Sequence, residues 1–223
     1  MSINCIISGG TDGIGKQTAI ELAKVGHNIG IIGRNKKKGI SVLKEIEAAT
    51  GNQSLKYFNC DLSVIKNIKK LIDELKNEYS YIDVLINNAG AYFSKHKKTE
   101  EDLEKTFALN HLSYFSLTHQ LLDILESNKP SRVINVASGA HFRAKLDIDD
   151  IQLVKKYKGW TAYCNSKLMN VLFTYEAHKR YNTKNISFNC LHPGFVDTRF
   201  GDENKGLGRN MLKIGKKLIA IDV

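Results

Sequence analysis

The chain has 223 residues, 42% of them hydrophobic and 25% charged, which suits one globular domain with a core of its own. Two prolines leave no proline-rich linker, and no apolar run is long enough to cross a bilayer. The net charge of +10 admits nucleic acid, a membrane surface, an anionic cofactor or simply solvated lysine-rich faces, but the lysines are spread along most of the chain without the aromatic interleaving or module of a nucleic-acid binder.

Short β-branched runs at 4–8, 28–33, 54–59, 84–87, 132–137 and 186–191 read as strands. Between them, amphipathic stretches at 13–25, 37–50, 64–78, 100–126 and 161–181 read as helices; Ile65, Ile68, Leu71, Ile72 and Leu75 show the spacing. Strands taking turns with helices imply right-handed crossovers and a mostly parallel sheet covered on both faces. The expected fold is a doubly wound, Rossmann-type α/β domain over 1–223. In such a sheet, ligands bind beyond the carboxyl ends of the strands.

The first strand runs into Ser8-Gly9-Gly10-Thr11-Asp12-Gly13-Ile14-Gly15. Gly9, Gly13 and Gly15 permit a tight turn and close backbone approach to a diphosphate, which then meets the amino end of the next helix. The second strand ends in Gly33-Arg34-Asn35. Gly33 stands where an acidic residue would accept from a ribose 2′-hydroxyl, and Arg34 offers a planar fork suited to a 2′-phosphate. This favours NADP(H) over NAD(H), with Lys36, Lys37 and Lys38 read as a solvated helix start. Asp61 either caps the following helix or accepts from an adenine amino group, and Ser63 is a candidate cap of that helix. Asn87-Asn88-Ala89-Gly90 closes the fourth strand with small residues, as a segment pressed against a cofactor requires.

Ser138 ends the fifth strand at the sheet's carboxyl edge, where its hydroxyl can hold a substrate oxygen. Tyr163 and Lys167 stand four apart and stack on one helix face. A cation within reach of a phenol favours phenolate and lowers its pKa by roughly 1–3 units. Asn110, in the middle of the 100–126 stretch, is a poor helix former and suggests a kink or a bound water there. The scattered cysteines (Cys5, Cys60, Cys164, Cys190) read as free, mostly buried thiols, and no metal site is expected from them or the histidines.

In their order and spacing these motifs resemble the short-chain dehydrogenase/reductase superfamily across about residues 3–200, and within it the retinol dehydrogenase and WW-domain-containing oxidoreductase-like members. The likeness to those members is carried by Asn110-His111-Leu112, Ala140-His141, the run from Tyr163 to Thr174 and Leu191-His192-Pro193-Gly194. The resemblance implies a catalytic tetrad of Asn110, Ser138, Tyr163 and Lys167. In it Tyr163 is the acid/base, Ser138 polarises the substrate, Lys167 binds nicotinamide ribose and depresses the tyrosine pKa, and Asn110 holds a relay water. It also implies cofactor contacts from Gly9, Thr11, Asp12, Gly13, Ile14, Gly15, Arg34, Asn35, Asp61, Leu62, Asn88, Ala89, Gly90, Pro193, Val196 and Thr198.

The resulting expectation is a cytoplasmic NADP(H)-dependent oxidoreductase that interconverts a lipophilic alcohol and carbonyl. The resemblance admits a homo-oligomer, with residues 195–223 as a substrate-loop segment and the family's seventh strand not encoded. A non-catalytic NADP(H) sensor or interaction module stands as the alternative reading.

Overall fold

The structure is a computed structural model, described here over residues 2–126, 129–181 and 185–194. Six strands form one sheet: β1 (Asn4–Ser8), β2 (Asn28–Gly33), β3 (Leu55–Asn59), β4 (Val84–Asn87), β5 (Ser131–Val136) and β6 (Ile186–Leu191). Their order is β3-β2-β1-β4-β5-β6, and every pairing is parallel. All five residues of β1 are buried, as a central strand covered on both faces requires. The strand order reverses between β1 and β4, which opens a crevice beyond their carboxyl ends. The glycine turn after β1 and the Asn88–Gly90 segment after β4 therefore face each other.

Alternation along β1 divides the core. Cys5 and Ile7 pack with Ala19 and Ala23 of α1 (Gly13–Lys24) and with Val42 and Ile46 of α2 (Lys36–Thr50). Ile6 faces the other layer, formed by Ile68, Leu71, Ile72 and Leu75 of α3 (Ile65–Glu78) together with Leu117 and Ala177. The four cysteines are free thiols; Cys5 and Cys60 are buried deeply enough to push each thiol up to about 12. Among the described residues, no helix is long and apolar enough to cross a membrane.

Two expectations need correction. The 100–126 stretch is not one helix. Residues 100–104 form a turn closed by an antiparallel bridge between Lys98 and Glu104, with Asp102 at positive φ. The buried Glu104 carboxylate then accepts from the amides of Thr106 and Phe107 and starts α4 (Lys105–Phe107). The chain widens into a π-helical turn at Ala108–Leu112, continues as α5 (Ser113–Gln120), and breaks at Leu121 before α6 (Leu122–Leu125). Hydrophobic periodicity spans all these pieces, so it cannot show the breaks.

The second correction is the cap of α3. Ser63 does not cap it; its amide and hydroxyl both donate to Asp61 Oδ1, at 3.0 and 2.7 Å. The cap comes from the distant turn, where Glu101 accepts from the amides of Ile65 (2.5 Å) and Lys66 (2.9 Å). The long helix α7 (Gly159–Tyr181) completes the described elements and carries Tyr163 and Lys167 into the core.

Candidate active site

The crevice begins at Ser8, whose buried hydroxyl accepts from the amides of Asn88 (2.9 Å) and Ala89 (3.1 Å). The Asn88 amide group returns the link by donating to the carbonyls of Ser8 (3.0 Å) and Gly9 (3.3 Å). These bonds tie the glycine turn to the β4 end and leave no room for side chains. A Cβ on Gly9, which has φ of 67°, would lie 2.8 Å from Ala89 Cα. One on Gly15 would lie 2.5 Å from the Gly9 carbonyl oxygen. Gly13 is also at positive φ and opens α1. This is a backbone cradle at a helix amino end, and it fits a diphosphate.

Around the cradle, Asp12 caps α1 by accepting from Gly13 N (2.9 Å) and holds the Lys38 ammonium at 2.5 Å. Thr11 packs over Gly33, where a Cβ would come within 2.8 Å of its methyl. Ile14 is half-buried in the first turn of α1. Arg34 is exposed at the end of β2, and Asn35 caps α2 by accepting from Lys38 N (3.0 Å). Asp61 is half-buried at the end of β3, while the side chain of Leu62 belongs to the core under α3. Pro193 is half-buried after β6; Val196 and Thr198 lie outside the described residues.

At the other side of the crevice the structure brings Asn110, Ser138, Tyr163 and Lys167 together with Gly90. A Cβ on Gly90 would lie 3.4 Å from Asn110 Oδ1 and 3.6 Å from Lys167 Nζ. Ser138 is half-buried; its hydroxyl accepts from the amide of Ala140 at 3.2 Å and acts on the Tyr163 phenol to favour its phenolate. The Lys167 ammonium is buried, donates to the carbonyl of Val136 at 2.8 Å, and lies 5.8 Å from the Tyr163 ring centre.

The electrostatics differ from the sequence expectation. Burial pushes the Tyr163 phenol up to about 12, only partly offset by the Ser138 hydroxyl. The same burial brings Lys167 down to about 8. In this protein alone, desolvation outweighs the cation, because the ammonium is anchored on the Val136 carbonyl and is itself poorly solvated.

Asn110 is more structural than a mid-helix asparagine suggests. Its amide exchanges two bonds with the backbone of Ala91, both 2.9 Å, and donates to Ser166 Oγ at 3.2 Å. Its carbonyl, in the π-helical turn, accepts from Asn170 Nδ2 at 2.9 Å. Asn170 in turn meets His111 Nδ1 at 3.0 Å, and Thr174 links it to Asn135 and Asn87. Sequence reasoning missed Asn170 and Thr174. Their signal was present: residues 163, 167, 170 and 174 recur on one face, making a polar stripe that a buried helix must satisfy. Two aromatic rings flank that of Tyr163, Tyr92 edge-on at 6.4 Å and Trp160 stacked at 5.9 Å.

The profile of the short chain dehydrogenase family matches residues 4–206. The chain is 41% identical to retinol dehydrogenase 13 of Homo sapiens over 197 residues, covering 88% of this chain and 60% of that protein. It thus spans about 60% of the length of the curated relatives it matches. Among solved structures, an uncharacterized protein from Mycobacterium paratuberculosis superposes with a TM-score of 0.78 at 27% identity, over 99% of this chain and 77% of that one. The Pseudomonas aeruginosa RhlG/NADP active-site complex gives 0.70 at 25% identity, over 88% and 73%. The matching profile spans the chain from β1 past β6 and so takes in the glycine cradle, the Asn88–Gly90 segment and the stretch from Ser138 to Lys167: the chain belongs to the short chain dehydrogenase family.

Proposed function

We propose that the protein is an NADP(H)-dependent oxidoreductase that interconverts a lipophilic alcohol and the corresponding carbonyl at Tyr163. The observation that carries this reading is the gathering of Tyr163, Lys167 and Asn110 around Gly90, with Ser138 acting on the phenol, next to the glycine cradle. A nicotinamide dinucleotide supplies or accepts the hydride when bound. Gly9, Gly13 and Gly15 hold its diphosphate, Asn88, Ala89 and Gly90 flank it, and Lys167 bonds its ribose. Arg34 takes the 2′-phosphate, a choice supported by the missing side chain at Gly33 and by the NADP named in the RhlG complex.

In the direction of reduction, Ser138 and Tyr163 both bond the substrate oxygen. The phenol, protonated at any physiological pH, releases its proton to that oxygen as negative charge grows there. The Lys167 ammonium favours the phenolate left behind. Behind the site, Asn110, Ser166 and Asn170 form a hydrogen-bonded interior that holds the neighbouring helix in place. The exposed aromatic ring of Trp160 stacked on Tyr163, and the retinol named in its human relative, support a lipophilic substrate.

The test is Tyr163→Phe, assayed by NADPH oxidation with all-trans-retinal and a panel of lipophilic ketones. Turnover should fall at least 10²-fold, while NADPH binding, read by its fluorescence, stays within a few-fold. Undiminished turnover in the variant overturns the role of Tyr163. Tight NADPH binding by the wild type with no turnover on any probe supports a non-catalytic sensor instead.

A further inference from the structure

Lys167 lacks what usually keeps a buried ammonium charged. Among the described residues no carboxylate contributes to its environment, and burial alone accounts for its lowered pKa. The ammonium donates to the Val136 carbonyl. Among the described residues, the titratable groups facing it are two phenols, Tyr163 from α7 and Tyr114 from α5. Gly90 approaches from the β4 segment and Asn110 from the π-helical turn, both uncharged. The ammonium lies 5.7 Å from the Tyr114 ring centre and 5.8 Å from that of Tyr163. One cation is thus shared between two aromatic rings.

Tyr114 is fully buried, and its hydroxyl has no hydrogen-bond partner among the described residues. A buried hydroxyl left unpaired is unfavourable, so the ring rather than the hydroxyl accounts for what this residue does. Asn110 and Tyr114 stand four residues apart across the π-helical turn and α5. Both meet α7, Asn110 at Ser166 and Tyr114 at Lys167. The negative face of an aromatic ring attracts an ammonium most strongly where water is excluded. We propose that Tyr114 is a positioning residue of the active site, whose ring holds the Lys167 ammonium charged and in place beside Tyr163. This rests on the oxidoreductase reading for its meaning but not for its measurement.

The experiment follows Lys167 directly in the full chain labelled with [13Cε]lysine, its resonance identified by its loss in Lys167→Gln. Tyr114→Phe should leave the Lys167 titration midpoint nearly unmoved, and Tyr114→Leu should lower it by about one pH unit. If the leucine variant does not fold, 4-fluoro-, difluoro- and trifluorophenylalanine at position 114 keep the ring's shape while weakening its negative face. The midpoint should then fall stepwise with fluorine number. A midpoint indifferent to fluorination, or one that drops as far in Tyr114→Phe as in Tyr114→Leu, overturns the proposal. With all-trans-retinal as probe, the alkaline limb of the kcat/KM profile should move with the midpoint. An enzyme without turnover would defeat the oxidoreductase reading while leaving the titration result standing.

Discussion

Lys167 Nζ donates to the main-chain carbonyl of Val136 at 2.8 Å, which ties the centre of α7 to the last residue of β5. The bond fixes where the ammonium sits and leaves its charge dependent on a dry surrounding that brings its pKa to about 8. Ser138 follows two residues after Val136, so the same anchor sets the serine relative to the tyrosine–lysine helix.

A pH dependence follows for the reaction. Tyr163 is protonated below about 12, whereas Lys167 loses its proton near 8. Carbonyl reduction should therefore be steady at neutral pH and decline as pH rises through about 8. A kcat/KM profile for all-trans-retinal that stays flat to pH 10 would contradict this.

The same group predicts a stability difference. The folded-state pKa of Lys167 is below its ordinary 10.5, so the unfolded chain binds more protons between about 8 and 10.5. Its contribution is fully present above 10.5 and is lost as pH falls through 8, a span worth about 3 kcal/mol. Urea unfolding of wild type and Lys167→Met at pH 7.5 and 9.5 measures it. The wild type should gain relative to the variant at the higher pH, since Tyr163 begins to oppose folding only above about 10.

Ser8→Ala removes the acceptor shared by the amides of Asn88 and Ala89. Two buried donors losing their partner should cost about 2–4 kcal/mol of stability. NADPH affinity should drop along with it, because the cradle loses its tie to the β4 segment. Fluorescence titration and urea unfolding of the variant read the two effects separately.

Arg34→Asp reverses the charge at the end of β2. The ratio of NADPH to NADH efficiency should fall by 10-fold or more, with NADH activity rising or holding. An unchanged ratio removes Arg34 from the 2′-phosphate site.

Glu101→Ala takes away both acceptors that cap α3. The loss should be about 1 kcal/mol in urea unfolding; an unchanged midpoint would remove Glu101 as the cap.

Much of the fold was legible because its information is local. The β-branched runs at 4–8, 28–33, 84–87 and 186–191 are the strands themselves, and the two remaining strands begin one residue away from their predicted starts. Tyr163 and Lys167 could be paired from spacing alone, since four residues return a helix to the same face. Asn110 marked a helix irregularity, and the π-helical turn lies there.

Tertiary structure alone decided the rest. Glu101 caps a helix 36 residues before it, and Glu104 starts one that periodicity placed earlier; both depend on which loop meets which helix end. Tyr114 reads in sequence as an ordinary core aromatic, and only packing sets its ring against Lys167. The direction of the Tyr163 shift reversed for the same reason. Spacing along a chain tells which side chains can meet, but the water excluded around them is set by every element that closes over the site, and that desolvation determines the balance of charge.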